Sequence, residues 1–231
     1  MIPDQLTAEE SWPAFVAALE RDILPLYQRH EQTFDWGGIH GRMHICRAVL
    51  FAETMARFYS ARQLADVDLC AVRTAIAFHD SGRQGSGEDL WESDSAQLCY
   101  EYLRRSRAEP YARYVGDLIE KHGVWDLARR IVHDADVLEI MRPCCSHGGL
   151  PGFERRYFRF LSSRDPEAHE LPGAEVAALR EALIQEAWAW IEQTETLKSQ
   201  LAASPAYMSE LLRLLQAERS RYPMLAMLVA A

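Results

Sequence analysis

The 231-residue sequence predicts an all-α fold. Three observations carry that prediction. Apolar residues recur at spacings of three and four through most of the chain, cap and stop signals bracket those runs, and no credible run of five residues alternates as a half-buried strand would. The composition, 48% hydrophobic and 26% charged, is ordinary globular usage and excludes a disordered, collagenous or supercharged chain. No repeat with a period of about 20–50 residues and no low-complexity tract interrupts it. The expectation is a single compact domain over 1–231, with a motif core at about 36–142 and additional C-terminal helices at about 153–229 packed on it.

The elements follow in order. Thr7-Ala-Glu-Glu10 has the form of a capping box, and Phe15, Leu19, Ile23 and Leu26 continue it at helical spacing to about Arg29. After the glycine-containing break Trp36–Gly41, a second helix runs from about Arg42 to Tyr59. Asp66 or Asp68 caps a third, which ends in Phe78-His79-Asp80-Ser81-Gly82, with the glycine suited to a helix C-terminus. Residues 83–91 read as a loop, followed by helices at about 94–107, 110–121 and 126–141. Pro143–Gly152 reads as a loop; shorter helices, a long helix at about 173–200 and a last helix opened by Ser204-Pro205 complete the chain.

Charge and cysteine usage narrow the function. Twenty-five basic against thirty-four acidic residues give a net charge of −9, so neither nucleic acid nor an anionic membrane is an expected partner. Any anion must meet a local cluster of positive charge. The longest apolar run, Met224–Ala231, is far below the ~20 residues of a membrane-spanning helix, and the N-terminus shows no secretory signal pattern. Five cysteines without a Cys-x-x-Cys argue against a disulfide framework and for a reducing cytoplasm.

Chemistry-bearing residues concentrate in three helices. His40 and His44 stand four apart, about 40° around a helix. They either share a metal, or divide into a ligand and a catalytic group, or one packs while the other is solvated. His79-Asp80 follows the apolar run Ala75–Phe78, at the inner end of a buried helix where an unpaired carboxylate is costly. An imidazole with a carboxylate suits iron, manganese, nickel, cobalt or zinc better than calcium. In His133-Asp-Ala-Asp136, His133 and Asp136 share a face, while Asp134 points away and reads as a solvated or outer carboxylate. A metal would satisfy this buried set; an ion pair with Arg47 or Arg83 is the alternative.

The order His44, His79-Asp80, Asp136 on three helices resembles the HD superfamily of metal-dependent phosphohydrolases. His44-x-x-Arg47, the apolar run before His79 and Asp136-x-Leu138 also match, over about residues 36–142. The resemblance implies an HD-type helical domain in which His44, His79, Asp80 and Asp136 hold one divalent transition metal, of the class Mn, Fe, Ni, Co or Zn. It further implies that an activated water attacks a phosphoester. His122 stands where many members carry a further active-site histidine, against its reading as a surface residue at a helix end.

A narrower resemblance also exists. His40-Gly-x-x-His44-x-x-Arg47, Ser81-Gly-Arg83 and His133 before Asp-x-Asp look like the phosphodiesterase domain of SidE-type bacterial effectors, which cleave the pyrophosphate of ADP-ribosylated ubiquitin through a phosphohistidine. That resemblance implies His40 as nucleophile and His133 as general acid. The family's catalytic glutamate has no clear counterpart; His79 and Glu88 are the candidates. Because the metal quartet is complete, the leading expectation is a phosphodiesterase using water on a small phosphoester or nucleotide-containing substrate. In it Arg83, with Arg47, neutralises phosphoryl charge and His133 protonates the leaving oxygen. The alternatives are the SidE-like route on ubiquitin conjugates and a non-catalytic nucleotide-binding HD scaffold. The expected location is cytoplasmic, including a host cytoplasm for a secreted bacterial effector.

Other features read more plainly. Cys144-Cys145-Ser-His147 is expected as a loop thiol pair, Trp188 and Trp190 as packing, and Arg104, Arg105 and Arg107 as a solvated face. Arg155-Arg156 is also read as solvated, with the option of holding an anionic substrate. Glu88–Glu92 borders the site in sequence as a lid, with Trp91 able to stack on a base.

Overall fold

The computed structural model describes residues 11–35, 38–85, 90–120, 125–146 and 157–228, the segment 141–146 by its backbone alone. Among them are nine α-helices: α1 (Trp12–Ala18), α2 (Leu24–Thr33), α3 (Arg42–Ala61), α4 (Leu69–Phe78), α5 (Glu92–Leu103), α6 (Glu109–Ile119), α7 (Leu127–Ser146), α8 (Gly173–Leu201) and α9 (Tyr207–Ala217). No strand occurs among the described residues, as the sequence predicts. No helix there is long and apolar enough to cross a membrane.

α3 is the central element. Seventeen of its twenty residues are buried, so it is enclosed on all sides rather than lying on a surface. α4 and α7 pack along it, α5 and α6 pair beside α4, and α8 and α9 close the far side. One continuous core runs from Phe15 through Leu225 and takes in Trp190, which is fully buried; Trp188 packs against it.

The first helical run departs from its expected form in two ways. It starts at Trp12, with Ser11 as its N-cap accepting from the Ala14 amide at 3.3 Å; Thr7–Glu10 lies outside the described residues. It also widens into a π-helical segment over Leu19–Ile23 before α2. Pro25 explains the widening, because its ring clashes with a carbonyl four residues back and a wider turn relieves the clash. Tyr27 of α2 then donates to the Ala77 carbonyl at 2.9 Å and pins the end of α4.

One further boundary is settled between two alternatives and two are corrected. Asp68, rather than Asp66, caps α4 by accepting from the Ala71 amide at 2.9 Å. α7 continues through Pro143 to Ser146, so Cys144 and Cys145 are helical rather than in a loop. A proline removes one hydrogen bond from a helix without obliging the chain to leave it; His147 and the rest of that predicted loop lie outside the described residues. Between α7 and α8 the described residues form only the 3-10 turn Pro166–Glu170, and Leu225–Leu228 forms another near the end. Asp165 organises the first of these turns by accepting from the amides of Leu161 (2.9 Å) and Glu167 (3.1 Å) and from the Tyr59 hydroxyl.

A buried ion pair joins α3 to α4. Arg73 donates to both oxygens of Glu53 at 2.6 Å, with Glu53 0% and Arg73 2% exposed. Arg57 also reaches Glu53, at 2.7 Å. Removing one partner strands a buried charge, a loss of about 3–5 kcal/mol. Arg73→Met is therefore expected near the lower end of that range, because Arg57 remains. Glu53→Leu/Arg73→Met is expected to recover much of the loss, read by urea unfolding.

Candidate metal and phosphoester site

The ends and middles of α3, α4 and α7 deliver the predicted residues to one place. His40 stands in the turn that enters α3. Asp35 shapes that turn, accepting from the amides of Ile39 at 3.0 Å and His40 at 2.7 Å through its two oxygens. Gly38 allows it by adopting φ +63°, where a side chain is strained. His44 lies one turn into α3, and His79-Asp80 just past α4. Gly82 follows for a steric reason: a Cβ there would lie 2.5 Å from the Ser95 amide nitrogen and 2.6 Å from the Asp94 carbonyl carbon. The Gly82 amide donates to Ser95 Oγ at 2.9 Å, which seats the His-Asp turn on α5.

His44, His79 and Asp136 form a group whose donor atoms all lie within 4.8 Å of one another. The two histidines face each other through Nε2, 3.1 Å apart. Their other ring nitrogens are engaged: His44 Nδ1 lies 2.6 Å from Glu139 Oε2, and His79 Nδ1 lies 2.7 Å from the Ile76 carbonyl oxygen. Both partners are acceptors and favour a proton on each Nδ1, so that in the neutral ring each Nε2 turns a lone pair into the group. Asp136 Oδ1 lies 3.6 Å from His44 Nε2 and 3.5 Å from His79 Nε2. Asp80 Oδ2 lies 3.5 Å and 3.6 Å from the same two nitrogens. Two such lone pairs in contact, flanked by carboxylates, are relieved by an added proton or by a cation.

The electrostatics agree. Burial alone would lower the His79 pKa, but Asp80 and Asp136 raise it to about 10. Burial would raise Asp80 and Asp136, yet the neighbouring histidines, His79 foremost, hold both below the usual carboxylate range. Without a metal the set gathers an extra proton onto an imidazole; a divalent cation can take that proton's place. The donor set, two imidazoles and a carboxylate, fits such an ion.

His40 stands at the edge of this set. Its Nδ1 is 3.0 Å from Asp80 Oδ2, and its side chain remains 26% exposed. Asp80 therefore touches His40 more closely than it approaches the two Nε2 atoms. Arg83 is buried, with Nε 3.6 Å from Asp80 Oδ1 and its guanidinium 5.3 Å above the Trp91 ring. Trp91 thus packs on Arg83. His133 lies one turn before Asp136; its Nδ1 is 3.0 Å from Asp134 and its ring meets Trp125 edge-on.

Two expectations change. Arg47 is 0% exposed, and its guanidinium is committed to Glu139, to Thr194 Oγ1 at 3.1 Å and to Glu195 at 2.9 Å. It is a buried strut, not a clamp for phosphoryl oxygens. Asp134 is not solvated: it is 2% exposed and accepts from the Arg159 amide at 3.0 and 3.1 Å, and burial raises its pKa. Glu139 and Asp35 are the functional neighbours that sequence reasoning missed. Glu139 had a signal, a carboxylate three residues after Asp136 in an otherwise apolar run; Asp35 had none. Glu88, His122 and Arg155-Arg156 lie outside the described residues. Arg104 and Arg105 are exposed, as expected.

Gly82→Ala should force the His79-Asp80 turn off α5. Overpacking of this kind costs roughly 1–3 kcal/mol, and the backbone neighbours here cannot rotate away. The expected outcome is a lower urea midpoint together with lost activity; Ser81→Ala, which adds no atoms, serves as control.

Neither a curated protein nor a solved structure matches the chain. The model of the SidE phosphodiesterase (PDE) domain matches residues 30–202. That span holds α3 through α8 and every residue of the site just described. The chain belongs to the SidE phosphodiesterase domain family, and it is an enzyme of phosphodiesterase type with a His/His/Asp set able to hold a divalent metal.

Proposed function

We propose that this chain is a SidE-like phosphodiesterase acting on ADP-ribosylated or phosphoribosylated ubiquitin, with His40 as the nucleophile. The observation that carries the reading is the His40–Asp80 contact at 3.0 Å beside the histidine cluster, within a family match that spans the site. An ionised Asp80 accepts from His40 Nδ1–H, which leaves His40 Nε2 with the lone pair an attack requires. Asp80 thereby supplies the carboxylate for which the sequence offered no clear counterpart. The three-helix placement of His44, His79-Asp80 and Asp136 also supports grouping the domain with HD-type phosphohydrolases, and one continuous core supports a single domain over 1–231.

His40 Nε2 forms a bond to phosphorus as the pyrophosphate P–O bond breaks, and the electron pair leaves with the nucleoside monophosphate oxygen. Water or a serine hydroxyl then attacks the same phosphorus and gives its proton to His133, left neutral by the first step; the P–N bond breaks and its electrons return to Nε2. Arg83, beside Asp80, offsets charge growing on the phosphoryl oxygens. His133, with Nδ1 held by Asp134, is the proposed proton donor to the departing oxygen. His44, His79 and Asp136, with Asp80 adjoining, would hold a divalent cation, which would supply Lewis-acid polarisation of a phosphoryl oxygen. Reduced Cys46, Cys70 and Cys99 support action in a cytoplasm, including that of a host cell.

The motif order His44, His79-Asp80, Asp136 favours a second reading, in which water is the nucleophile on a simpler nucleotide diester and His40 is accessory. Rapid quench with labelled ADP-ribosyl-ubiquitin and with a simple diester separates the two. On the first reading an acid-labile, base-stable phosphoramidate forms, and His40→Ala removes both it and essentially all turnover. On the second no covalent species appears, and His40→Ala costs only ~10–100-fold. Purified protein should carry about one divalent ion per chain. His79→Ala should lose that ion, read by elemental analysis; full activity after exhaustive chelation would remove the metal from the reaction.

A further inference from the structure

Glu139 lies deeper in the protein than any group of the site proper. It is 1% exposed and belongs to α7, three residues past Asp136. Its two oxygens divide their work. Oε2 accepts from His44 Nδ1 at 2.6 Å, while Oε1 accepts from Arg47 Nε at 3.0 Å and also from Arg47 Nη2. Arg47 is in turn anchored on α8 through Thr194 at 3.1 Å and Glu195 at 2.9 Å.

The second nitrogen of His44 explains why this arrangement matters. Nε2 has Asp80 at 3.5 Å and Asp136 at 3.6 Å. In the opposite tautomer, Nε2–H would donate to either carboxylate, and the nitrogen would no longer be a ligand. These two carboxylates, and the lone pair of a neutral His79 Nε2 at 3.1 Å, pull the proton toward the wrong nitrogen. Glu139, a closer acceptor on the other side at 2.6 Å, pulls it back. The Arg47 fork occupies Oε1 and stabilises the anion in a dry environment, so that Oε2 is aimed at His44.

We infer that Glu139 is a positioning residue: it fixes the Nδ1–H tautomer of His44 and thereby sets the affinity of the His44–His79–Asp136 set for a divalent metal, with Arg47 and α8 holding it in place. The inference rests on the reading that His44 is a metal ligand. Outer carboxylates behind metal-binding imidazoles typically change affinity 10–100-fold.

The test uses the full chain, stripped with a chelator and labelled with nitrogen-15 in its histidines. In the wild type, His44 should show a protonated Nδ1 and an unprotonated Nε2. Glu139→Gln keeps the shape and an acceptor but loses the charge. It should give a mixed or reversed His44 tautomer and bind Zn(II) ~10–100-fold more weakly by calorimetric titration. Should that variant fail to fold because Arg47 loses its counter-charge, Arg47→Met/Glu139→Gln removes both charges and should show the same two changes. Variants with lowered thermal midpoints but wild-type tautomer and wild-type zinc affinity would make Glu139 merely structural and overturn the inference. A wild type that binds no zinc would instead sink the metal reading; the His44 tautomer in the chelated protein would still decide the role of Glu139.

Discussion

Two imidazole nitrogens, each on a ring whose far nitrogen faces an acceptor, meet at 3.1 Å in the middle of this protein. The surrounding helices are arranged to keep them there. His44 cannot turn because Glu139 holds it, and His79 cannot turn because the Ile76 carbonyl does. Asp80 and Asp136 add negative charge on two sides, from the end of α4 and from α7. Such a set is unstable as an empty group of neutral rings and carboxylates. Its chemistry follows from that instability: the set is suited to a cation, which would polarise a phosphoryl oxygen. The family match covers all of these residues, and His40 rests on Asp80 at the edge of the same set.

A price attaches to building the site on a fully buried helix. α3 carries Arg42, His44, Arg47 and Glu53 into the core, and each charge must find a partner there. Arg42 meets Glu31, the Ala202 carbonyl and the face of Tyr207; Arg47 meets Glu139; Glu53 meets Arg73. Each pair ties α3 to a different element. The polar residues that look anomalous on an apolar helix thus orient its neighbours around it.

Much of this was legible in the sequence. Helical period, the Asp68 cap and the glycine and proline breaks gave the all-α fold and nearly every helix. The H…HD…D order placed His44, His79, Asp80 and Asp136 together, because short motifs on regular helices keep their geometry. What failed depended on tertiary partners. Arg47 reads as a substrate arginine until Glu139, 92 residues away, is seen to claim it. Asp134 reads as a solvated or outer carboxylate, and the Arg159 amide and His133 upon it decide for the second. The π-helical segment before Pro25 and the run of α7 through Pro143 show local signals resolved by small backbone adjustments. The water mechanism led the sequence reading because the quartet was complete; the family match shifts the balance to the alternative that sequence alone had also raised.

The Arg47–Thr194 bond joins residues separated by 147 positions, and it lies directly behind His44. Contacts of such high sequence separation carry a large loop-closure entropy and dominate the contact order of a fold. A nascent chain that ends after α7 would have all three members of the histidine–aspartate set but not the α8 strut behind them. During synthesis, then, Arg47 gains its Thr194 and Glu195 anchors only after α8 has emerged and docked, so the group that is encoded first is braced last.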